Sequence, residues 1–80
     1  MKVEVLLFAS YREKAGSGRL ALALNEGATV GELIGAMRAK FPGLPEPARI
    51  VAAVNNEYQE HDFALSDGDE VALIPPVSGG

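Results

Sequence analysis

One helical pattern, close to the middle of the chain, constrains the fold more than any other feature of the sequence. Thr29 and Glu32 have the spacing of a capping box, in which each side chain accepts a hydrogen bond from the other residue's backbone N–H. Apolar residues then recur at helical spacing, at Val30, Leu33, Ile34, Met37 and Phe41. Pro42-Gly43 terminates the pattern. The sequence therefore predicts one amphipathic helix that begins after Thr29.

Two strand patterns precede this helix. Residues 2–9 alternate, with Val3, Val5 and Leu7 on one face and Leu6 and Phe8 on the other. Leucines at every second position from 20 to 24 give a second strand. Because the glycines of residues 16–18 are typical of a turn, the two strands are predicted to form a hairpin.

Three further strands are predicted after the helix. Residues 44–49 form a proline-rich loop, and residues 50–54 follow as an apolar strand. The turn Asn55-Asn56-Glu57 leads into a short strand at Tyr58-Gln59, and the last strand is residues 70–74. The order is strand, strand, helix, strand, short strand, strand, which predicts an α+β domain over residues 1–74. Its mixed sheet of four or five strands packs on one main helix, with the first and last strands in central positions.

A single helix covers only one face of such a sheet, so the other face needs an explanation. Alternation directs Leu6 and Phe8 of the first strand and Ile74 of the last strand to this uncovered face. Together with Tyr58 they predict an apolar patch that binds a partner protein. The alternative is a loop that folds over the same residues.

Composition excludes several classes of function. The chain has no cysteine, which excludes disulfides, thiolate nucleophiles and zinc–thiolate sites, and we expect no metal site. Its one histidine, His61, lies among polar residues and is expected to be solvated. No apolar run approaches the ~20 residues of a membrane helix, and no signal peptide is evident. We expect a soluble cytoplasmic protein that does not engage a membrane.

The charges are unevenly distributed. The net charge of −4 disfavours nucleic acid as a partner. Residues 1–49 hold all seven basic residues against five acids, whereas residues 50–80 hold six acids and no Lys or Arg. Either this imbalance serves solubility, or the acidic segment beside the C-terminus steers the chain toward basic partners.

The last six residues, Pro75-Pro76-Val77-Ser78-Gly79-Gly80, form a C-terminal tail of unusual composition. The two prolines end the sheet and favour a stiff extended segment, while Gly79 and Gly80 fit a channel too narrow for other residues. Six extended residues span about 20 Å. The pattern predicts an arm, positioned by Pro75, Pro76, Val77 and Ser78, that carries the Gly80 carboxylate into another protein. A frayed terminus is the alternative.

Several segments together resemble one family. The run Leu65-Ser66-Asp67-Gly68-Asp69-Glu70-Val71 and the ending from Ile74 to Gly80 are similar to the small, sulfur-carrier subunit of molybdopterin synthase. Phe8-Ala9, Arg12-Glu13 and Val54-Asn55 stand where that family has similar residues. The resemblance covers the whole chain and implies the ubiquitin-like β-grasp fold.

The resemblance also implies a chemical role. An adenylyltransferase partner would use ATP to activate the Gly80 carboxylate, and a sulfurtransferase would supply the sulfur of a Gly80 thiocarboxylate. The large subunit would supply the catalytic groups and pass this sulfur to cyclic pyranopterin monophosphate, which forms molybdopterin. The chain would bind no cofactor, would be no enzyme on its own, and would form a heterotetramer of two small and two large subunits.

Two alternatives stay open at this point. One keeps the terminal chemistry and changes its product, as in a sulfur carrier for thiazole or tRNA thiolation, or in a ubiquitin-like modifier. The other is a non-catalytic β-grasp interaction module whose tail has no chemical role.

Overall fold

A computed structural model of the protein describes residues 1–75. Its elements are β1 (Lys2–Leu7), α1 (Ala9–Ala15), β2 (Arg19–Ala23), α2 (Val30–Lys40), a 3₁₀ turn (Pro47–Arg49), β3 (Val51–Val54), β4 (Glu57–Gln59) and β5 (Glu70–Ile74). The strands form one sheet in the order β2-β1-β5-β3-β4. β1 and β5 are parallel and the other neighbouring pairs are antiparallel, so the sheet is mixed and both strands are interior, as predicted.

The predicted main helix is α2, and its start has the predicted capping box. The backbone N–H of Glu32 donates to the Thr29 hydroxyl over 3.2 Å, and the Thr29 N–H donates to the Glu32 carboxylate over 3.3 Å. The helix ends at Lys40, and Phe41 is its C-cap, immediately before the predicted stop at Pro42. Capping of this kind stabilises a helix by about 1 kcal/mol.

The core lies between α2 and the inner face of the sheet. Four residues of the helix stripe, Val30, Leu33, Ile34 and Met37, are fully buried. They pack in one cluster with alternate residues of the three interior strands, which are Val3, Val5, Leu7, Ala52, Val54, Val71 and Leu73. Among residues 1–75, this alternation leaves the opposite side of the sheet, here called the outer face, without a covering helix.

A second helix, α1, corrects the prediction of a single helix and of a strand over residues 2–9. β1 ends at Leu7, and Phe8 is the N-cap of α1. The helix has seven residues, buries only Tyr11 among them and has no side-chain cap, so it shows neither an apolar stripe nor a capping box. The available signal was Gly16, which ends α1 in a left-handed conformation at φ 74°.

The proline-rich loop contains a 3₁₀ turn, and residue 50 lies just before β3 rather than within it. Ile50 is the C-cap of that turn and is buried. No helix within residues 1–75 has the length and apolarity that a membrane-spanning helix requires.

Candidate functional site

The loop before β5 fixes this strand against β1. The Lys2 N–H donates to the Asp67 carboxylate over 2.7 Å, and the Gly68 N–H donates to the Lys2 carbonyl over 2.8 Å. Asp69 closes the same loop, since its carboxylate accepts from the Ser66 N–H over 2.8 Å. Gly68 has φ +86°, a conformation that strongly favours glycine. The motif that carries the family resemblance is thus a structural clamp on β1.

Asn55 fixes β5 against β3 in a similar way. Its side-chain amide donates to the Asp69 carboxylate over 3.0 Å, and its side-chain carbonyl accepts from the Glu70 N–H over 3.0 Å. Asn55 and Asn56 both have positive φ, 49° and 74°, which is the conformation of a tight hairpin turn between β3 and β4. The start of β5 is therefore held by side chains on both sides, and this sets where its far end and the tail emerge.

Cross-strand register brings the predicted patch residues onto the outer face. Leu6 is opposite Ala72, Ala72 is opposite Ala53, and Ala53 is opposite Tyr58, which forms one row across four strands. Ile74 is opposite Val51 in the next row. Phe8 follows β1 directly, has extended backbone angles and is exposed. We call these seven residues the outer patch: Leu6, Phe8, Val51, Ala53, Tyr58, Ala72 and Ile74.

The outer patch is largely uncovered within the part of the chain that the structure describes: three of its residues are exposed, three are half-buried, and only Ala53 is buried. Tyr58 is 72% exposed, Phe8 47% and Val51 41%, so the alternative of a loop folded over this face finds no such loop among residues 1–75. A cavity of about 390 Å³ adjoins the patch beside Val51 and Tyr58. Exposed apolar residues that adjoin one another in this way are typical of partner-binding surfaces.

Sequence reasoning placed Leu6, Phe8, Tyr58 and Ile74 on this face and did not include Val51 or Ala53. The run at residues 50–54 is apolar throughout, so alternation gives no sign of which residues face outward. The register with β5 supplies this information, because Ile74 and Ala72 already belong to the outer face.

A charged cluster borders the patch at the start of β5. Glu4 and Glu70 are directly opposite each other on β1 and β5, and Arg19 of β2 lies within 2.6 Å of the first carboxylate and 3.8 Å of the second. Like charges in opposite positions destabilise a sheet, and the guanidinium offsets this repulsion. The cluster is exposed, so we assign it a local structural role.

His61 corrects one further prediction from the sequence. His61 is half-buried and its Nε2 lies 3.0 Å from the Ile50 carbonyl oxygen, so it is a structural residue rather than a solvated one. Residues 1–75 contain no group of His, Asp and Glu side chains that could hold a metal ion.

The tail leaves the sheet at Pro75, which is half-buried at the end of β5. The remaining predicted tail residues, Pro76, Val77, Ser78, Gly79 and Gly80, lie outside the described residues. β5 is an interior strand, and side-chain hydrogen bonds hold its start. The position of Pro75, where the tail begins, is therefore fixed by the sheet.

Known proteins resemble the chain over its whole length. The ThiS family model matches residues 5–80, which includes the terminal glycines. A molybdopterin synthase sulfur carrier subunit from Chlamydomonas reinhardtii is 42% identical over 83 aligned residues that cover all of both chains.

Solved structures agree with this match. A putative molybdopterin converting factor subunit 1 from Pyrococcus furiosus has a TM-score of 0.84 at 36% identity, over 96% of this chain and 99% of that one. SAMP1 from Haloferax volcanii also has a TM-score of 0.84, at 33% identity over all of both chains. These similarities confirm the ubiquitin-like β-grasp fold that the sequence predicted.

Proposed function

The chain belongs to the ThiS family, and on this premise we propose that it is the sulfur-carrier subunit of a molybdopterin synthase. The observation that carries the proposal is the full-length similarity to molybdopterin synthase sulfur carrier subunits, which includes the terminal glycine pair. The reactive group is the backbone carboxylate of Gly80. This fits a chain without cysteine, because the sulfur is held on the main-chain terminus.

Activation of the carboxylate requires ATP and a partner enzyme. A carboxylate is a poor electrophile because its leaving group is oxide or hydroxide. In the proposed route, a Gly80 oxygen attacks the α-phosphate of ATP on an adenylyltransferase, and pyrophosphate leaves. Hydrosulfide supplied by a sulfurtransferase then attacks the acyl carbon of the adenylate and gives up its proton to solvent. AMP leaves with the C–O bond electrons, and a thiocarboxylate remains.

Transfer of the sulfur takes place on the large subunit in this proposal. The tail enters that subunit's active site, and the thiocarboxylate sulfur forms a C–S bond to a side-chain carbon of cyclic pyranopterin monophosphate. The C–O bond at that carbon breaks, and its oxygen leaves with the bond electrons. Hydrolysis of the acyl–sulfur bond leaves the sulfur on the pterin and restores the carboxylate. Each carrier holds one sulfur, so the dithiolene of molybdopterin needs two carrier turnovers.

The described residues support this role through the position of β5. The outer patch offers an apolar docking surface that includes Ile74, the last residue of β5, and Pro75 follows it directly. Ordering the tail in a partner costs about 1–2 kcal/mol of backbone entropy per residue, less at the prolines, and docking of the patch offsets this cost. We propose that the carrier binds no cofactor of its own.

Intact mass spectrometry tests the chemistry. The full chain is incubated with the activating enzyme, ATP and a sulfur donor, and the expected product has one oxygen replaced by sulfur at the C-terminus. Deleting Gly80 should abolish productive sulfur transfer, whereas Gly35→Ala, on the solvent side of α2, should leave it unchanged. Absence of the mass change with an activating enzyme shown to be competent would support a simple interaction module.

Acceptor specificity tests the product. The thiocarboxylated chain is mixed with the large subunit and cyclic pyranopterin monophosphate, and in parallel with a thiazole-forming system. Pterin sulfuration is the expected result, and sulfur use by the thiazole system alone would refute the assigned product. Conjugation of the chain to lysines of other proteins would indicate a modifier, the role suggested by the similarity to SAMP1, which is a small archaeal modifier protein.

A further inference from the structure

A second feature lies at the root of the tail, on a different part of the surface from the outer patch. A shallow cavity of about 320 Å³ is formed between α1, the loop after α2 and the end of β5. Lys14, Tyr11, Arg49 and Pro75 are among its lining residues. We call this cavity the basic notch. Pro75 forms part of its wall, so the notch adjoins the residue from which the tail continues.

The notch is positively charged in an acidic protein. Lys14 lies in the last turn of α1 and Arg49 at the end of the 3₁₀ turn, and both residues are exposed. Within residues 1–75, neither cation has a carboxylate within 4.0 Å. The Lys14 stem is held above Gly43, where an added Cβ would meet its Cδ at 3.6 Å. The notch thus offers two cations that the described residues do not neutralise.

The charge at the basic notch is opposite to the negative charge that the sequence suggests for the region beside the tail. The acids of residues 67–70 lie at the start of β5, and the length of the strand, roughly 16 Å, separates Glu70 from Pro75. Arg49 and Lys14 come from the first part of the chain, and folding brings them to the tail. A partner at the root of the tail therefore meets positive charge.

Tyr11 adds an independent sign of a missing polar partner. Its side chain is 2% exposed, and its hydroxyl is buried without a hydrogen-bond partner in the part of the chain that the structure describes. A buried hydroxyl without a partner costs about 1–3 kcal/mol. Burial raises the pKa of Tyr11, while the nearby Arg49 charge partly lowers it, which places that charge within electrostatic reach of the hydroxyl. The phenol therefore remains a neutral donor near neutral pH.

We propose that the basic notch binds a carboxylate side chain, Asp or Glu, of the large subunit that receives the tail. This inference rests on the proposed function. A carboxylate accepts hydrogen bonds from the Arg49 guanidinium and the Lys14 ammonium and neutralises both. Tyr11 lines the same cavity, and its unpartnered hydroxyl is the third donor of the proposed site. A carboxylate bound in the notch would hold the large subunit beside Pro75.

Binding measurements with matched variants test the inference. The affinity of the intact chain for the large subunit is measured for the wild type, Arg49→Gln and Lys14→Gln, with Lys2→Gln as the control. Lys2 carries the same charge, is exposed and lies at the opposite end of the parallel pair β1–β5 from Pro75. We expect about tenfold weaker binding for Arg49→Gln and Lys14→Gln, with a shallower salt dependence. The control should stay within about twofold of the wild type.

Tyr11→Phe separates a recognition role from a structural one. Removing an unpartnered hydroxyl should leave the thermal stability of the free chain unchanged or raise it, whereas affinity for the large subunit should fall about tenfold. If the Tyr11 side chain serves only to fill the core, the Tyr11→Phe variant will bind the large subunit with unchanged affinity.

The outcomes also distinguish this inference from the proposed function. If the wild type binds the large subunit and Arg49→Gln, Lys14→Gln and Tyr11→Phe all match the control, the notch does not recognise a carboxylate, and the carrier role stands. If the wild type does not bind the large subunit at all, both the carrier role and the notch assignment are wrong.

Discussion

Two neighbouring asparagines allow a sharp test of how β5 is held. Asn55 and Asn56 share the hairpin turn and both have positive φ, but only Asn55 makes side-chain hydrogen bonds to the clamp at Asp69 and Glu70. The perturbation is Asn55→Gly, and the matched control is Asn56→Gly. Glycine accepts positive φ at both positions, so the two variants share the relief of backbone strain and the added entropy of the unfolded chain.

The difference between the two variants isolates the side-chain hydrogen bonds. Asn55→Gly removes two bonds of 3.0 Å each, and a net contribution of about 0.5–1 kcal/mol is appropriate for each because both are exposed. We therefore expect the Asn55 variant to be about 1–2 kcal/mol less stable than the Asn56 variant. For a domain of this size, that corresponds to a difference in Tm of about 5–15 °C.

Thermal unfolding followed by circular dichroism, with urea unfolding as a second measure, provides the assay. The urea slope should be equal in the two variants, since the same surface is exposed on unfolding. Equal stability of the two variants, within about 0.3 kcal/mol, would refute the inference that the Asn55 side chain stabilises β5. Below its unfolding transition, the Asn55 variant should still be thiocarboxylated at the wild-type rate, because the clamp has no chemical role.

Three further predictions concern other parts of the chain. Gly35→Ala should stabilise the protein by about 0.5–1 kcal/mol in urea unfolding, because Gly35 faces solvent on α2. Gly31→Ala should stabilise it less than Gly35→Ala does, since an added Cβ would lie 3.2 Å from a backbone carbonyl oxygen. Phe8→Asp and Tyr58→Asp should keep the Tm within a few degrees and weaken binding to the large subunit more than about tenfold by calorimetry; unchanged binding of both would eliminate the outer patch as the interface. Burial raises the folded-state pKa of Tyr11 above 10.0, so the free energy of unfolding should fall as pH rises past about 10, and should fall less in Tyr11→Phe.

The main helix and the strand alternation were predictable from sequence because each is specified by local chemistry. The capping box and the apolar stripe of α2 need only side chains within a few turns of one another. α1 could not be found in this way, because it is short and is held mainly by the burial of Tyr11 against residues distant in sequence. The Asn55-Asn56 turn was predicted, but the clamp function of Asn55 depends on Asp69 and Glu70, fourteen and fifteen residues away.

The candidate site shows the same division between local and non-local information. Alternation placed Leu6, Phe8 and Ile74 on one face, whereas the inclusion of Val51 required the pairing of β3 with β5. The basic notch was not predictable, since Lys14 and Arg49 lie 35 positions apart in the sequence and become neighbours only through the tertiary fold. Charge counted along the chain gave the acidic character of residues 50–80 and no indication of the cations beside Pro75.

The side-chain hydrogen bonds that hold β5 are concentrated at the end of the strand farthest from the tail. Within residues 1–75, the side-chain hydrogen bonds to this strand and its preceding loop involve Asp67, Asp69 and Glu70, and none involves the segment 73–75. A partner that docks at the tail end therefore breaks no intramolecular side-chain hydrogen bond, and burying the outer patch is opposed chiefly by the entropy of association and of tail ordering. The same arrangement implies that loss of the Asn55 side-chain hydrogen bonds lowers the folded population without altering the intrinsic affinity of the folded domain. Measured affinity, corrected for the folded fraction, should thus be equal for the Asn55 and Asn56 variants even where their stabilities differ.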